Sequence, residues 1–230
     1  MTVSPVLYSP DAEHIDAHEE EIETELIYTL LGISRKTFAD THHGHRSVHA
    51  KSHALLSGEL VVPDDLPPHL AQGLFARAGT YPVVLRFSTT PGDILPDSVS
   101  TPRGLAMKVI GVEGERLPDG RSDVTQDFVM VNAPVFATAN AREFLNNLKL
   151  LATTTDQAEG FKVAASAVLR GAEKVVETFG HKSGALRALG GEPATHPLGE
   201  TYYSQTAMLF GDYMAKFSMA PLSEDVTGLK

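Results

Sequence analysis

The chain has 230 residues and 42% hydrophobic content, which allows one large domain or two small ones around a substantial core and excludes general disorder or a fibrous repeat. Its formal net charge of −10, without a long basic run, argues against a nucleic-acid surface as partner. It contains no cysteine, so disulfides and every thiolate metal site are excluded within it.

Residues 1–25 are polar and increasingly acidic, unlike a secretory signal, and no apolar run approaches the roughly 20 residues that span a bilayer. The expectation is a soluble, cytoplasmic protein with no membrane span. Residues 11–31 read as a helix: Asp11 can cap it, and Ile15, Ile22, Leu26 and Leu30 recur at helical spacing above an acidic face. Residues 1–40 are therefore taken as an N-terminal helical arm, ahead of a single domain over residues 41–230. Residues 41–46 form a histidine-rich loop, and strand patterning follows over 48–132.

Within that stretch, Val83, Leu85 and Phe87 alternate with Val84, Arg86 and Ser88, which puts Arg86 and Ser88 on one face of a strand. Residues 105–110 and 128–131 are further strands, with turns at Pro67-Pro68, Pro91-Gly92, Pro102 and Pro118-Asp119-Gly120. Helical periodicity returns over 141–151 and 156–189, and a polar loop with Pro193 and Pro197 leads to a last alternating run over 213–220. Helix, strands, helices and a final strand predict an α+β fold, an antiparallel β-barrel with helical insertions and the N-terminal arm.

Histidine is the first residue type to weigh for chemistry. His42, His43, His45, His49 and His53 fall close together, and the 45/49 and 49/53 pairs have the spacing of metal ligands on a helix. On a loop that runs into a strand, that spacing does not bring imidazoles onto one metal, and no Glu completes an H-E-x-x-H pattern. Solvated loop histidines are the plainer reading, and a metal-binding module is the least favoured function.

His49 stands apart, because it sits in Arg46-Ser47-Val48-His49-Ala50-Lys51 at the start of the strand region. This segment resembles the distal motif of the catalase family, Arg-x-Val-His-Ala-Lys-Gly, with Ser52 in place of the Gly. Three more segments resemble that family in the same order: Val84-Leu85-Arg86-Phe87-Ser88-Thr89, Thr101-Pro102-Arg103-Gly104-Leu105-Ala106 and Val131-Asn132-Ala133-Pro134-Val135-Phe136-Ala137. Downstream, Pro197-Leu198-Gly199-Glu200-Thr201-Tyr202-Tyr203-Ser204 and Gly211-Asp212-Tyr213-Met214-Ala215-Lys216 also look catalase-related, so the resemblance covers roughly residues 41–220.

The resemblance implies a catalase-like barrel that binds heme b and acts on hydrogen peroxide or an organic hydroperoxide, with homo-oligomers as in relatives. It assigns the catalytic roles to His49 and Asn132. A histidine near neutral pKa can move a proton between the two peroxide oxygens, and an amide can hold the peroxide without titrating. Ser88 would orient His49, Arg46 and Arg86 would bind the heme propionates, and Val48, Phe136 and Phe144 would wall the pocket. Taken without the resemblance, Arg86 also suits a salt-bridged barrel residue, Ser88 a core hydroxyl, Asn132 a turn former, and the apolar three plain core.

Departures from the family pattern bear on function. Thr101 stands where the family has a channel Asp, and Ala137 where it has a pocket Phe, a roomier entrance that suits organic hydroperoxides. The family binds iron through the tyrosine of an Arg-x-x-x-Tyr helix beyond the barrel. The only such pattern here, Arg77 to Tyr81, precedes the arginine-bearing strand and is read as coincidence. No proximal iron ligand is identified, which suggests truncation ahead of the tyrosine helix. The alternative function is accordingly a truncated, non-enzymatic relative with weak or no heme binding.

Overall fold

The computed structural model describes residues 4–97, 99, 101–116, 120, 122–154 and 195–229. The expected helix over 156–189 and Pro193 lie outside them, as does part of the Pro118-Asp119-Gly120 turn.

The chain opens with a short strand, β1 (Val6–Leu7), and a 3-10 turn over Pro10–Ala12 whose cap, Ser9, accepts from the Asp11 amide. The first helix, α1 (Glu19–Thr41), starts and ends later than the 11–31 expectation. Pro10 and the Ser9 cap commit Asp11 to the preceding turn, while Asp16 Oδ1 accepts from the His18 amide and sets the true start. Glu19, Glu20 and Glu21 fill the first turn, where the helix dipole favours negative charge. Ile15 is left 74% exposed outside the helix, and the buried stripe runs instead through Ile22, Ile33 and Thr37. The helix stops at His42, whose φ of 55° is left-handed and whose amide donates to Phe38 O.

Four long strands follow: β2 (Ser52–Val62), β3 (Gly79–Thr89), β4 (Arg103–Ile110) and β5 (Thr125–Val131). A second helix, α2 (Ala141–Thr154), packs against α1. After it come β6 (Tyr202–Ser204), β7 (Met208–Phe210), β8 (Tyr213–Ala215), β9 (Ser218–Met219) and a short helix, α3 (Glu224–Thr227). One antiparallel sheet has the order β2-β3-β4-β5-β6-β9, and a small one has the order β1-β8-β7.

The antiparallel, sheet-plus-helix character matches expectation, but among the described residues the barrel does not close. The large sheet ends at β2 on one side and β9 on the other. The alternating run over 213–220, expected as one strand, is split between the two sheets. Its break is at Lys216 and Phe217. Lys216 Nζ bonds Pro134 O, Phe217 N bonds Ser204 Oγ, and the Phe217 ring packs 4.9 Å from Phe128 and 5.3 Å from Phe210. Burying that aromatic ring is worth more than continuing a short ladder. No described helix is long and apolar enough to cross a membrane.

Alternation divides the large sheet into two chemically different faces. Val83, Leu85 and Phe87 of β3 point into the core with Leu105 and Val109 of β4, Phe128 and Met130 of β5, and Tyr202 of β6. The opposite face carries Arg86 and Ser88, paired across the strands with Ala106 and Gly104. That polar face, beside the chain entering β2, holds the candidate site.

Candidate functional site

His49 lies three residues ahead of β2 with φ of 52°, a left-handed conformation that costs a non-glycine residue about 1–2 kcal/mol. The conformation persists because the surrounding backbone holds it on both sides. The His49 amide donates to Thr90 O at 2.7 Å, the Ala50 amide donates to Pro91 O at 3.2 Å, and Arg86 Nη2 donates to His49 O at 2.8 Å. Arg86 thus serves as a clamp on the main chain that presents the imidazole.

The ring itself rests on two neighbouring strands. His49 Nδ1 is 3.0 Å from Ser88 Oγ on β3. On β4, a Cβ added to Gly104 would fall 2.6 Å from both Nδ1 and Cε1 of the ring, so only glycine lets the imidazole come this close. His49 Nε2 has no hydrogen-bond partner among the described residues. With Nδ1–H donating to Ser88 Oγ, Nε2 is left as a proton acceptor.

Burial lowers the His49 pKa to about 4, assisted by the positive charges of Arg86 and then Arg46. Burial, then Arg46, also lowers the Arg86 pKa. Neither guanidinium has a carboxylate partner among the described residues, although the chain carries 29 Asp and Glu. Two cations within electrostatic reach of each other, with no carboxylate partner among the described residues, favour an anion nearby.

The depressed pKa has a sign that can be checked. Unfolded, the imidazole titrates near 6.5, and folded, near 4, so the unfolded chain binds more protons between those values. The contribution is fully present above about pH 6.5 and is lost as the pH falls toward 4. Urea unfolding of wild type and His49→Gln at pH 7 and pH 5 is expected to show roughly 2 kcal/mol of extra loss in the wild type. Equal losses in the two would remove His49 as the source.

The other expected site residues divide. Val48 is half-buried beside His49, and Arg46 is exposed within electrostatic reach of it. Phe136 and Phe144 pack on one another, ring centroids 5.5 Å apart, where the chain enters α2. Asn132 is held elsewhere. Its Oδ1 accepts from the Arg103 amide at 2.9 Å, its own amide donates to Arg103 O at 3.1 Å, and its Nδ2 donates to Glu200 Oε2 at 2.5 Å. Glu200 in turn pairs with the Arg103 guanidinium, which also donates to Thr195 Oγ1 at 3.1 Å. Arg103 is paired with Thr89, and both alternate with Ser88 and Gly104, so this network lies across the sheet from His49.

Gly104, Arg103 and Glu200 therefore join the site description without having been singled out from sequence. Gly104 and Arg103 do sit in the quoted Pro-Arg-Gly segment, but nothing local reveals what they touch. The clustered histidines take separate positions: His42 ends α1, His43 and His45 meet edge to face at 6.3 Å, and His53 in β2 is 3.9 Å from Asp97. Among the described residues no group of three or more His, Cys, Asp or Glu could hold a metal ion. Tyr81 lies in β3 opposite Leu60. Tyr202 donates to Pro197 O at 2.8 Å, and burial, then Glu200, pushes its pKa upward, away from the phenolate an iron ligand needs.

No family model matches the chain, and no curated protein matches it. Among solved structures it is similar to a bacterial catalase (17% identity, TM-score 0.43, 89% of this chain and 35% of that one). It is also similar to catalase A from Saccharomyces cerevisiae (19%, 0.42, 89% and 38%) and to a fungal catalase (18%, 0.43, 89% and 36%). The chain thus spans little more than a third of the length of these structures.

Proposed function

We propose that this chain supplies the peroxide-facing side of a catalase-like, heme-dependent oxidoreductase acting on hydrogen peroxide or organic hydroperoxides. The observation that carries the reading is His49, a half-buried imidazole kept neutral and backed by Ser88 and Gly104, with Nε2 unpartnered among the described residues. The motif resemblance around Arg46, Arg86, Gly104 and Asn132 supports it from sequence.

The residues present fit the anionic edge of heme b. Arg46 and Arg86 lack carboxylate partners among the described residues and crowd each other electrostatically, a donor set matched to propionates. When bound, the heme supplies the redox-active iron. The protein's own work is proton movement. His49 Nε2 takes the proton from one peroxide oxygen and returns it to the leaving oxygen, while Ser88 keeps Nδ1–H in place. The low pKa favours prompt return of that proton. Asn132, with its amide committed to Arg103 and Glu200, fixes the β4–β5 end of the sheet, so the proton step rests on His49.

The test is titration of the full chain with hemin, followed by absorption spectroscopy and peroxide consumption. Saturable uptake with a shifted Soret band is expected, together with a fall of about 10²-fold or more in peroxide loss for His49→Ala at unchanged hemin uptake. Absence of saturable uptake overturns the heme reading, and undiminished turnover in His49→Ala removes the assigned role. Faster turnover of cumene hydroperoxide than of hydrogen peroxide identifies the organic substrate class.

A further inference from the structure

Across the sheet from His49, the ends of β2, β3 and β4 enclose a cavity of about 310 Å³ with a chemically one-sided lining. Lys51, His53, Arg103 and His196 line it with one acid among the described lining residues, Asp97, although the whole chain is net −10. Glu200 pairs with Arg103 and leaves Lys51 and the imidazoles as the donors at hand. That acid is at the rim, with its side chain 80% exposed, whereas the Lys51 and His53 side chains are each 21% exposed and Arg103 10%.

Hydrogen-bond roles point the same way. His196 Nδ1 accepts from the Leu198 amide, which puts the proton of a neutral ring on Nε2 and makes that atom a donor. Thr101 is only 4% exposed, lines the cavity, and has no hydrogen-bond partner for its hydroxyl among the described residues. A buried hydroxyl opening on a cavity, rather than into packed protein, is a group waiting for a ligand or water. Lys51 Nζ donates to Leu95 O at 2.6 Å and to Asp97 Oδ1 at 2.7 Å, so a carboxylate already occupies its outer side. Leu95, Pro96, Val99 and Pro197 supply an apolar wall beside these donors.

We infer that this cavity binds a small organic carboxylate, its head on Lys51 and the Thr101 hydroxyl and its hydrocarbon body against Leu95, Pro96 and Val99. A donor-rich end asks for an anion, and the apolar wall distinguishes an organic acid from inorganic phosphate. The volume suits an acid of roughly six to ten carbons. Asp97 imitates the ligand's head on Lys51 and competes with it. The site lies on the sheet face opposite His49 and needs no cofactor, so Thr101, expected from sequence at a peroxide entrance, lines this cavity instead.

The experiment uses the full chain without hemin and sodium hexanoate as probe, with hexanol and inorganic phosphate as controls, read by titration calorimetry and saturation-transfer NMR. Saturable hexanoate binding is expected, with much weaker hexanol and phosphate binding. Thr101→Val is expected to weaken hexanoate about 5-fold and Lys51→Met about 10-fold or more. Asp97→Asn removes the competing carboxylate and is expected to tighten hexanoate about 3-fold or more, a gain that misfolding does not produce. No saturable hexanoate binding, hexanol or phosphate binding as strong as hexanoate, or no tightening in Asp97→Asn would each overturn the assignment.

Discussion

Replacing Glu200 with alanine is expected to cost about 3–5 kcal/mol of folding stability, read as a lowered urea midpoint with an unchanged m-value. The Glu200 and Arg103 side chains are 12% and 10% exposed, so the pair is largely out of water. Truncating Glu200 takes the carboxylate away from a guanidinium in a poorly solvated place, a larger penalty than losing a surface pair. Glu200 also accepts from Asn132 Nδ2, so the same change removes one partner from the side chain whose Oδ1 accepts from the Arg103 amide at the end of β4. Two further variants separate these contributions. Glu200→Gln keeps the hydrogen-bonding shape without the charge and is expected to fall between wild type and Glu200→Ala. Arg103→Met with Glu200→Leu removes both charges, and recovery of most of the loss is expected, since a buried pair replaced by apolar groups is often near neutral. A loss below about 1 kcal/mol in Glu200→Ala would place the pair in effectively open water.

The sequence showed the strands that depend on local alternation and hid what depends on long-range pairing. Val83, Leu85 and Phe87 announce β3 and its two faces, because a half-buried strand needs that period whatever its neighbours are. Nothing in it shows that Ser88 lies opposite Gly104, yet that register makes the support for His49. The Glu200 partners are further still, 68 residues away at Asn132 and 97 at Arg103. The existence of α1 was legible from its stripe, but Ile15 fitted the period by spacing alone and stayed in water. The 213–220 run alternates as a strand should, and only the aromatic cluster around Phe217 explains why it breaks and serves two sheets. His49 itself was legible by motif, whereas its left-handed backbone was not, since nothing in a histidine announces a positive φ.

Gly104→Ala is the sharpest probe of that local arrangement and is expected to cost about 3 kcal/mol, the upper part of the range for overpacking. The added methyl would sit 2.6 Å from two imidazole atoms and 3.2 Å from Ser88 Oγ, so one of these groups has to move. The Ser88 side has little slack: Ser88 is 4% exposed and its strand is paired on both edges. The His49 side is held by the Thr90 and Arg86 bonds to its backbone, so relief falls on the imidazole's side-chain torsions. Turning the ring outward breaks the 3.0 Å contact with Ser88 and exposes it to water, which relaxes the burial that holds its pKa near 4. The variant is therefore expected to show both a lower urea midpoint and a His49 imidazole titrating closer to 6.5 by NMR. Ser88→Ala supplies the contrast, because it removes the contact without pushing the ring and is expected to cost only about 1 kcal/mol. A Gly104→Ala protein with wild-type stability and an unshifted His49 titration would mean that the ring does not rest on β4, and the basis for a held, neutral imidazole would be lost.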